Sequence, residues 1–250
     1  MIPEINLGPL TIQTFGLMFA LSFVAAGWLI ARRLRELDLP VDWSYELVLA
    51  GGVGGIIGAK LWFGVETGNM SLDQLLSGTG LTWYGGLAGG AIAVAAYARW
   101  RDFLGLLLLD VLAPALALGY AVGRVGCQLS GDGDYGKAWD GPWAMGYPDG
   151  TVPTPPGVTV HPTPVYETFS MLIVAWLLWR WRDRWPTGVL FGVYLMFAGA
   201  ERFLVEFLRR NDAVALGLTT AQIVSLGMIA IGAAMWFTLR GSEPAAKPAR

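Results

Sequence analysis

The sequence predicts an all-α integral membrane protein of seven transmembrane helices, with the N-terminus outside and the C-terminus cytoplasmic. Three observations carry that reading. Hydrophobic residues make up 54% of the chain and charged residues only 14%, and the mean hydropathy is +0.51, a composition whose solvent is mostly lipid. Apolar runs near the length a bilayer requires fall at roughly 15–31, 44–64, 81–98, 103–123, 164–180, 187–208 and 218–239. Basic residues then alternate along the connections in the way that positive charge collects on the cytoplasmic side of short loops.

Residues 1–14 carry Glu4 and no Lys or Arg, the opposite of a basic signal-peptide start, so the first helix is expected to stay as an anchor. It ends at Arg32, Arg33 and Arg35, and the later inner segments hold Arg99 and Arg101, then Arg180, Arg182 and Arg184, then Arg240, Lys247 and Arg250. Outer segments hold only Arg124, Lys137, Arg209 and Arg210, so 11 basic residues face inward against 4 outward. Helix two contains Gly51, Gly52, Gly54, Gly55 and Gly58, and helix three opens on Gly85, Gly86, Gly89 and Gly90. Small residues permit close helix approach, and the same positions offer room for a lipid headgroup or acyl chain. The loop 66–80 holds Asp73 and no basic residue, and reads as a short amphipathic arm at the interface. The longest connection, about 124–163, is rich in Gly, Pro, Asp and Trp. Turn signals at Pro148-Asp-Gly150 and Pro153-Thr-Pro-Pro-Gly157 predict an ordered outer head with short strands around 143–147. Residues 1–240 thus read as a single polytopic domain with this head inserted, and 241–250 as a disordered tail.

Polar residues within spans are costly unless paired or facing a wet cavity. Glu46, Lys60, Arg202 and Glu206 qualify. Arg202 and Glu206 are four apart and share a helix face, which suits an ion pair. Arg124 closes the apolar part of helix four and leads into the glycine-rich run Val122-Gly-Arg-Val-Gly-Cys-Gln-Leu-Ser-Gly-Asp132. With Arg202 at similar depth, two cations would converge near the outer leaflet, an arrangement that fits a lipid phosphate. The lone cysteine, Cys127, excludes an internal disulfide and reads as a small packing residue. One histidine, one cysteine and scattered acids give no metal-ligand spacing, and neither a phosphate loop nor a dinucleotide fingerprint occurs. No cofactor, no metal and no nucleic-acid partner is expected.

These residues resemble the prolipoprotein diacylglyceryl transferase family of bacterial inner membranes over nearly the whole chain. The family run Gly-Arg-Ile-Gly-Asn-Phe-x-Asn-Gly-Glu is similar to Gly123-Arg124-Val-Gly126-Cys127-Gln-Leu-Ser130-Gly131-Asp132. Its His-Pro-x-Gln-x-Tyr-Glu run resembles His161-Pro-Thr-Pro-Val-Tyr166-Glu167, and Arg-Phe-x-x-Glu-Phe-x-Arg matches Arg202-Phe-Leu-Val-Glu206-Phe-Leu-Arg209. Phe15-Gly-Leu-Met18 and Thr220-Ala-Gln222-Ile-Val-Ser225 are weaker echoes in the family's order.

The resemblance implies seven spans around a lipid cavity, a periplasmic head, and residence in the cytoplasmic membrane. It also implies transfer of the diacylglyceryl group of phosphatidylglycerol to the lipobox cysteine thiol of a preprolipoprotein signal peptide, forming a thioether and releasing glycerol phosphate. Arg124 and Arg202 are the residues expected to answer charge on the leaving phosphate. Glu206 would orient Arg202. Asp132 would bind glycerol hydroxyls, or serve as a turn former in Gly-Asp-Gly-Asp. Cys127 and Ser130 take the two asparagine positions of the signature and, with Gly85 and Gly86, are candidates to line the donor site. The family's His-Gly-Gly stands here as Tyr84-Gly85-Gly86. The proton acceptor would then be Tyr84, another acid, or a lipid phosphate. His161 falls at a helix start, and Tyr166 and Glu167 read as an interfacial cap and anchor. A phospholipid-dependent transferase with another acceptor, or a non-enzymatic lipid-binding or transport protein, also fits the altered polar surface.

Overall fold

The computed structural model describes residues 1–68, 71, 73 and 82–241. Among them are seven α-helices, α1 (Thr14–Glu36), α2 (Trp43–Thr67), α3 (Trp83–Trp100), α4 (Leu106–Ser130), α5 (Thr163–Trp181), α6 (Val189–Glu206) and α7 (Thr220–Leu239). A two-stranded antiparallel hairpin, β1 (Glu4–Leu7) and β2 (Leu10–Gln13), precedes them, with Glu4 opposite Gln13. That hairpin was not expected from an apolar pattern, because it is held by local pairing and by Ile2 N–H, which donates to Leu129 O at 2.9 Å. The expected arm over 66–80 and the expected tail over 241–250 lie largely outside the described residues.

Of these helices, α1, α2, α4 and α7 are long and apolar enough to cross a membrane. Helix α6 carries three charged residues, Glu201, Arg202 and Glu206, within its 18 residues, and Arg202 and Glu206 belong to the site described below. Large apolar side chains such as Val24, Leu49, Trp176 and Phe237 stand exposed on helix surfaces. In water that pattern would be a liability, whereas lipid is the solvent it requires.

The chain forms two compact units, one of residues 27–108 and one of residues 1–26 with 109–250. In the first, glycines let α2 and α3 meet backbone to backbone: a Cβ built at Gly58 would lie 2.7 Å from Gly89 Cα, and Gly54 and Gly85 are equally closed. Glu46, flagged as a costly polar residue, is answered by Arg101 Nη2 at 2.9 Å and by the Tyr97 hydroxyl.

In the other unit the core is an alanine stripe on α4, Ala113, Ala117 and Ala121, against Met171 and Leu178 of α5 and Val193 of α6. The i, i+4 spacing places the three alanines on one face, where they allow large partners to pack close. Asp110 of α4 accepts from the backbone N–H groups of Gly188 and Phe191 at 2.6 and 2.8 Å, satisfying donors that the start of α6 would otherwise leave open. The apolar runs placed the helix centres well, but α4 is longer than expected. It continues through most of the signature to Ser130, and the polar excursion starts only at Gly131. Gly126 is helical because α1 presses on it: a Cβ there would stand 2.9 Å from Met18 Cβ.

The excursion 131–162 is ordered. Met145 and Ala138 each bridge to Val160, close to where short strands were expected. Tyr147, fully buried, stacks on Tyr135 at 4.7 Å and donates to Gln128 Oε1 at 2.8 Å. Burial pushes its phenol up to about 12, so it remains a donor at any physiological pH.

Candidate active site

The site is built at the ends of α4 and α6 and the start of α5. Glu167, in the first turns of α5, is completely buried. An unpaired carboxylate there would be prohibitively costly, so the surrounding elements supply cations. Arg124 of α4 reaches Glu167 Oε2 with Nε at 3.3 Å. Arg202 of α6 reaches Glu167 Oε1 with Nη1 at 3.2 Å, and Arg209 Nη1 lies 3.7 Å from Oε2. The Tyr120 hydroxyl, one turn before Arg124, donates to Oε1 at 2.9 Å, and its ring lies 4.9 Å beneath the Arg124 guanidinium.

Two further acids complete the cluster. Glu206 pairs with Arg202 Nη2 at 2.7 Å across one helical turn. It also accepts from Asn211 Nδ2 at 2.7 Å and from the Thr219 hydroxyl at 2.8 Å. Asp134 binds both Arg124 and Arg209. Burial alone would raise the Asp134 carboxyl, but the two guanidinium groups outweigh it and hold it below the usual carboxylate range.

The loop that delivers Asp134 depends on backbone conformations suited to glycine. Gly131 and Gly133 have φ of 60° and 94°, in the left-handed region where a Cβ is strained. Between them, the Asp132 carboxylate accepts from the Asp134 backbone N–H at 3.2 Å. Asp132 therefore performs the turn-forming work that its Gly-Asp-Gly-Asp context allowed. The Asp134 carbonyl in turn accepts from the Thr163 hydroxyl at 2.6 Å, fastening the loop to the start of α5.

The other expected residues fall as follows. Arg124 and Arg202 do converge, through the shared carboxylate of Glu167, and Glu206 does hold Arg202. Cys127 is buried, with Sγ 3.7 Å from Arg124 Nη1. Ser130 is buried at the last turn of α4, where its hydroxyl meets Cys127 O at 3.4 Å and its carbonyl accepts from Thr151. Tyr84 begins α3 half-exposed, followed by Gly85 against α2 and Gly86 beside it, all in the 27–108 unit. His161 stacks on Trp139 at 4.4 Å, and its Nδ1 meets the Tyr166 hydroxyl at 3.3 Å, which places it in the packing of the head.

The reading of Glu167 as an interfacial anchor is corrected: it is the buried centre of the cluster. Helix position misled here, because the first turn of a span looks interfacial until α4 and α6 close over it. Asp134, Tyr120 and Thr219 were missed. A usable signal existed for Thr219, since Thr219-Thr-Ala-Gln222 has capping-box spacing. The structure shows both reciprocal bonds of that box at the start of α7, and the Thr219 hydroxyl serves the cap and the Glu206 carboxylate together.

Fold and cluster together define a membrane-embedded protein that concentrates three guanidinium groups at one helix-end site, balanced by three acids. The chain belongs to the prolipoprotein diacylglyceryl transferase family, whose model matches residues 4–238. It is 35% identical to a phosphatidylglycerol–prolipoprotein diacylglyceryl transferase of Dehalococcoides mccartyi, covering 90% of this chain and 88% of the relative. Proteins of the same name from Clostridium tetani and Vibrio atlanticus are each 33% identical. The first alignment covers 89% of this chain and 91% of the relative, the second 95% and 90%.

Proposed function

We propose that this protein transfers the diacylglyceryl group of phosphatidylglycerol to the lipobox cysteine of preprolipoproteins. The observation that carries the reading is the convergence of Arg124 and Arg202 on Glu167, within motifs that lie inside the family match. In the reaction, the cysteine sulfur forms a bond to the glyceryl carbon while that carbon's bond to phosphate oxygen breaks. Glycerol phosphate departs with the electron pair, and the thiol loses its proton.

Charge therefore grows on the phosphate as the bond breaks. Guanidinium groups already fixed by buried acids meet that charge without reorganising. Arg124 is anchored by Glu167, Arg202 by Glu167 and Glu206, and each keeps part of its side chain exposed, 16% and 23%. Glu206 and Glu167 act as positioning residues for these two arginines. Tyr84 occupies the family's histidine position and is assigned as the group that accepts the thiol proton. Cys127 and Ser130 are assigned to the donor side of the site, and Gly85 and Gly86 to the close contact of α2 with α3.

We place the seven helices across the bacterial cytoplasmic membrane, N-terminus outside, with the 131–162 excursion as the periplasmic head. The 11-to-4 excess of basic residues on the inner segments supports that orientation. Complementation of a transferase-depleted strain tests the function. Wild-type protein is expected to restore growth and lipoprotein processing, and Arg124→Ala to abolish both while still inserting in the membrane. Full rescue by Arg124→Ala would remove Arg124 from the mechanism.

A further inference from the structure

Arg209 is the third guanidinium of the cluster, and the reaction as derived gives it no task. Its position is specific. Asp134 presents Oδ2 to Arg124 Nη1 and Oδ1 to Arg209 Nη2, so one acid bridges two guanidinium groups with its two oxygens. A phosphate ester with two charge-bearing oxygens addresses a pair of arginines in the same manner.

The three acids of the cluster are not equally replaceable. The side chains of Glu167 and Glu206 are 0% exposed and are further held by Tyr120, Asn211 and Thr219. Asp134 is 33% exposed. It also borders a polar cavity of about 400 Å³ lined by Gly133, Asp134, Tyr135, Arg209, Arg210 and Asn211. Arg210 closes one side of this cavity, with its guanidinium 4.3 Å above the Tyr135 ring and Nη2 donating to Gly133 O at 2.9 Å. The backbone of Asp134 is fixed at both ends, its N–H by Asp132 and its carbonyl by Thr163. A side-chain rotation alone vacates the place between the two arginines.

Building on the transferase reading, we propose that Asp134 is an internal anion seated between Arg124 and Arg209, displaced when a phosphate ester takes that place. The shared chemistry is a phosphate carrying a glyceryl group, as the headgroup of the donor lipid or as the glycerol phosphate released from it. The return of Asp134 to its two arginines then competes with the leaving anion and limits its retention. Asp134 is a positioning residue on this account, acting through Arg124 and Arg209.

The sign of one mutation separates this role from a merely structural one. Asp134→Asn keeps the shape and removes the charge, so the full-length protein in detergent should bind glycerol phosphate about tenfold more tightly, as expected when one charge-assisted competitor is removed. Asp134→Glu, which keeps the acid, should stay near wild type. A structural role predicts weaker binding for the amide. Unchanged or weaker binding by Asp134→Asn would overturn the proposal. Should thermal melting show that this variant has lost its fold, Asp134→Ser carries the same expectation and the same refutation.

A second arm adds phosphatidylglycerol in mixed micelles, with diacylglycerol micelles as the uncharged control. Competition by phosphatidylglycerol alone assigns the seat to the lipid headgroup. A persistent gain in glycerol phosphate affinity without that competition assigns it to the released product. Because the readout is anion binding, it stands apart from turnover: absence of peptide lipidation by wild type would count against the transferase reading and leave the seat measurable.

Discussion

Asp134 illustrates how much of this site is decided one side chain at a time. Its folded-state proton affinity is depressed by Arg124 and Arg209, which outweigh burial. Its stabilising contribution is therefore fully present above the unfolded value of about 3.9 and is lost as pH falls through the lower folded value. The difference in melting temperature between wild type and Asp134→Asn should be constant above about pH 5 and shrink only below about pH 4. A difference that shrank between pH 6 and pH 8 would contradict this assignment. Tyr84 is the other residue whose side chain has a specific task in the proposed reaction. Tyr84→Phe removes only the hydroxyl, and a proton acceptor there predicts a fall in turnover of about 10²-fold or more with phosphatidylglycerol affinity unchanged. Normal turnover would eliminate that role. Arg124, Arg202 and Glu206 were legible from the sequence because charge inside an apolar run is costly and announces itself. Asp134 was not, because an acid in a Gly-Asp-Gly-Asp turn is ordinary until the fold sets two arginines beside it.

At the scale of elements, glycine and capping residues matter more than hydrophobicity. The α2–α3 contact is closed to side chains, with Gly58 and Gly89 in direct backbone apposition. Gly58→Val should destabilise the protein by about 1–3 kcal/mol through overpacking. The test is a thermal melt in detergent, and an unchanged melting temperature would mean that the two helices do not meet there. Helix α7 shows a different coupling, since one threonine caps the helix and holds Glu206. The length of apolar runs located all seven described helices to within a few residues at most ends. It failed at the end of α4, where Gly126, which looks like a loop residue, instead makes room for Met18 of α1. It also failed at the N-terminal hairpin, whose four-residue strands are too short to impose a pattern.

For the whole molecule, the sequence disclosed its solvent before its chemistry. Composition, charge asymmetry and run length all pointed to a membrane, and the exposed apolar helix faces agree. The motifs pointed to the family, and the family match extends over residues 4–238. What no motif displayed is that its arginines share one buried carboxylate, because Tyr120 with Arg124, Glu167, and Arg202 with Arg209 come from three stretches that only the fold brings together. In the proposed mechanism this cluster stabilises a departing phosphate while sulfur is alkylated. The most direct test combines purified protein, phosphatidylglycerol and a lipobox peptide, and follows the mass of the peptide's cysteine. The expected result is a diacylglyceryl thioether with stoichiometric release of glycerol phosphate. An unmodified peptide and intact lipid, with a histidine-containing relative active alongside, would contradict it.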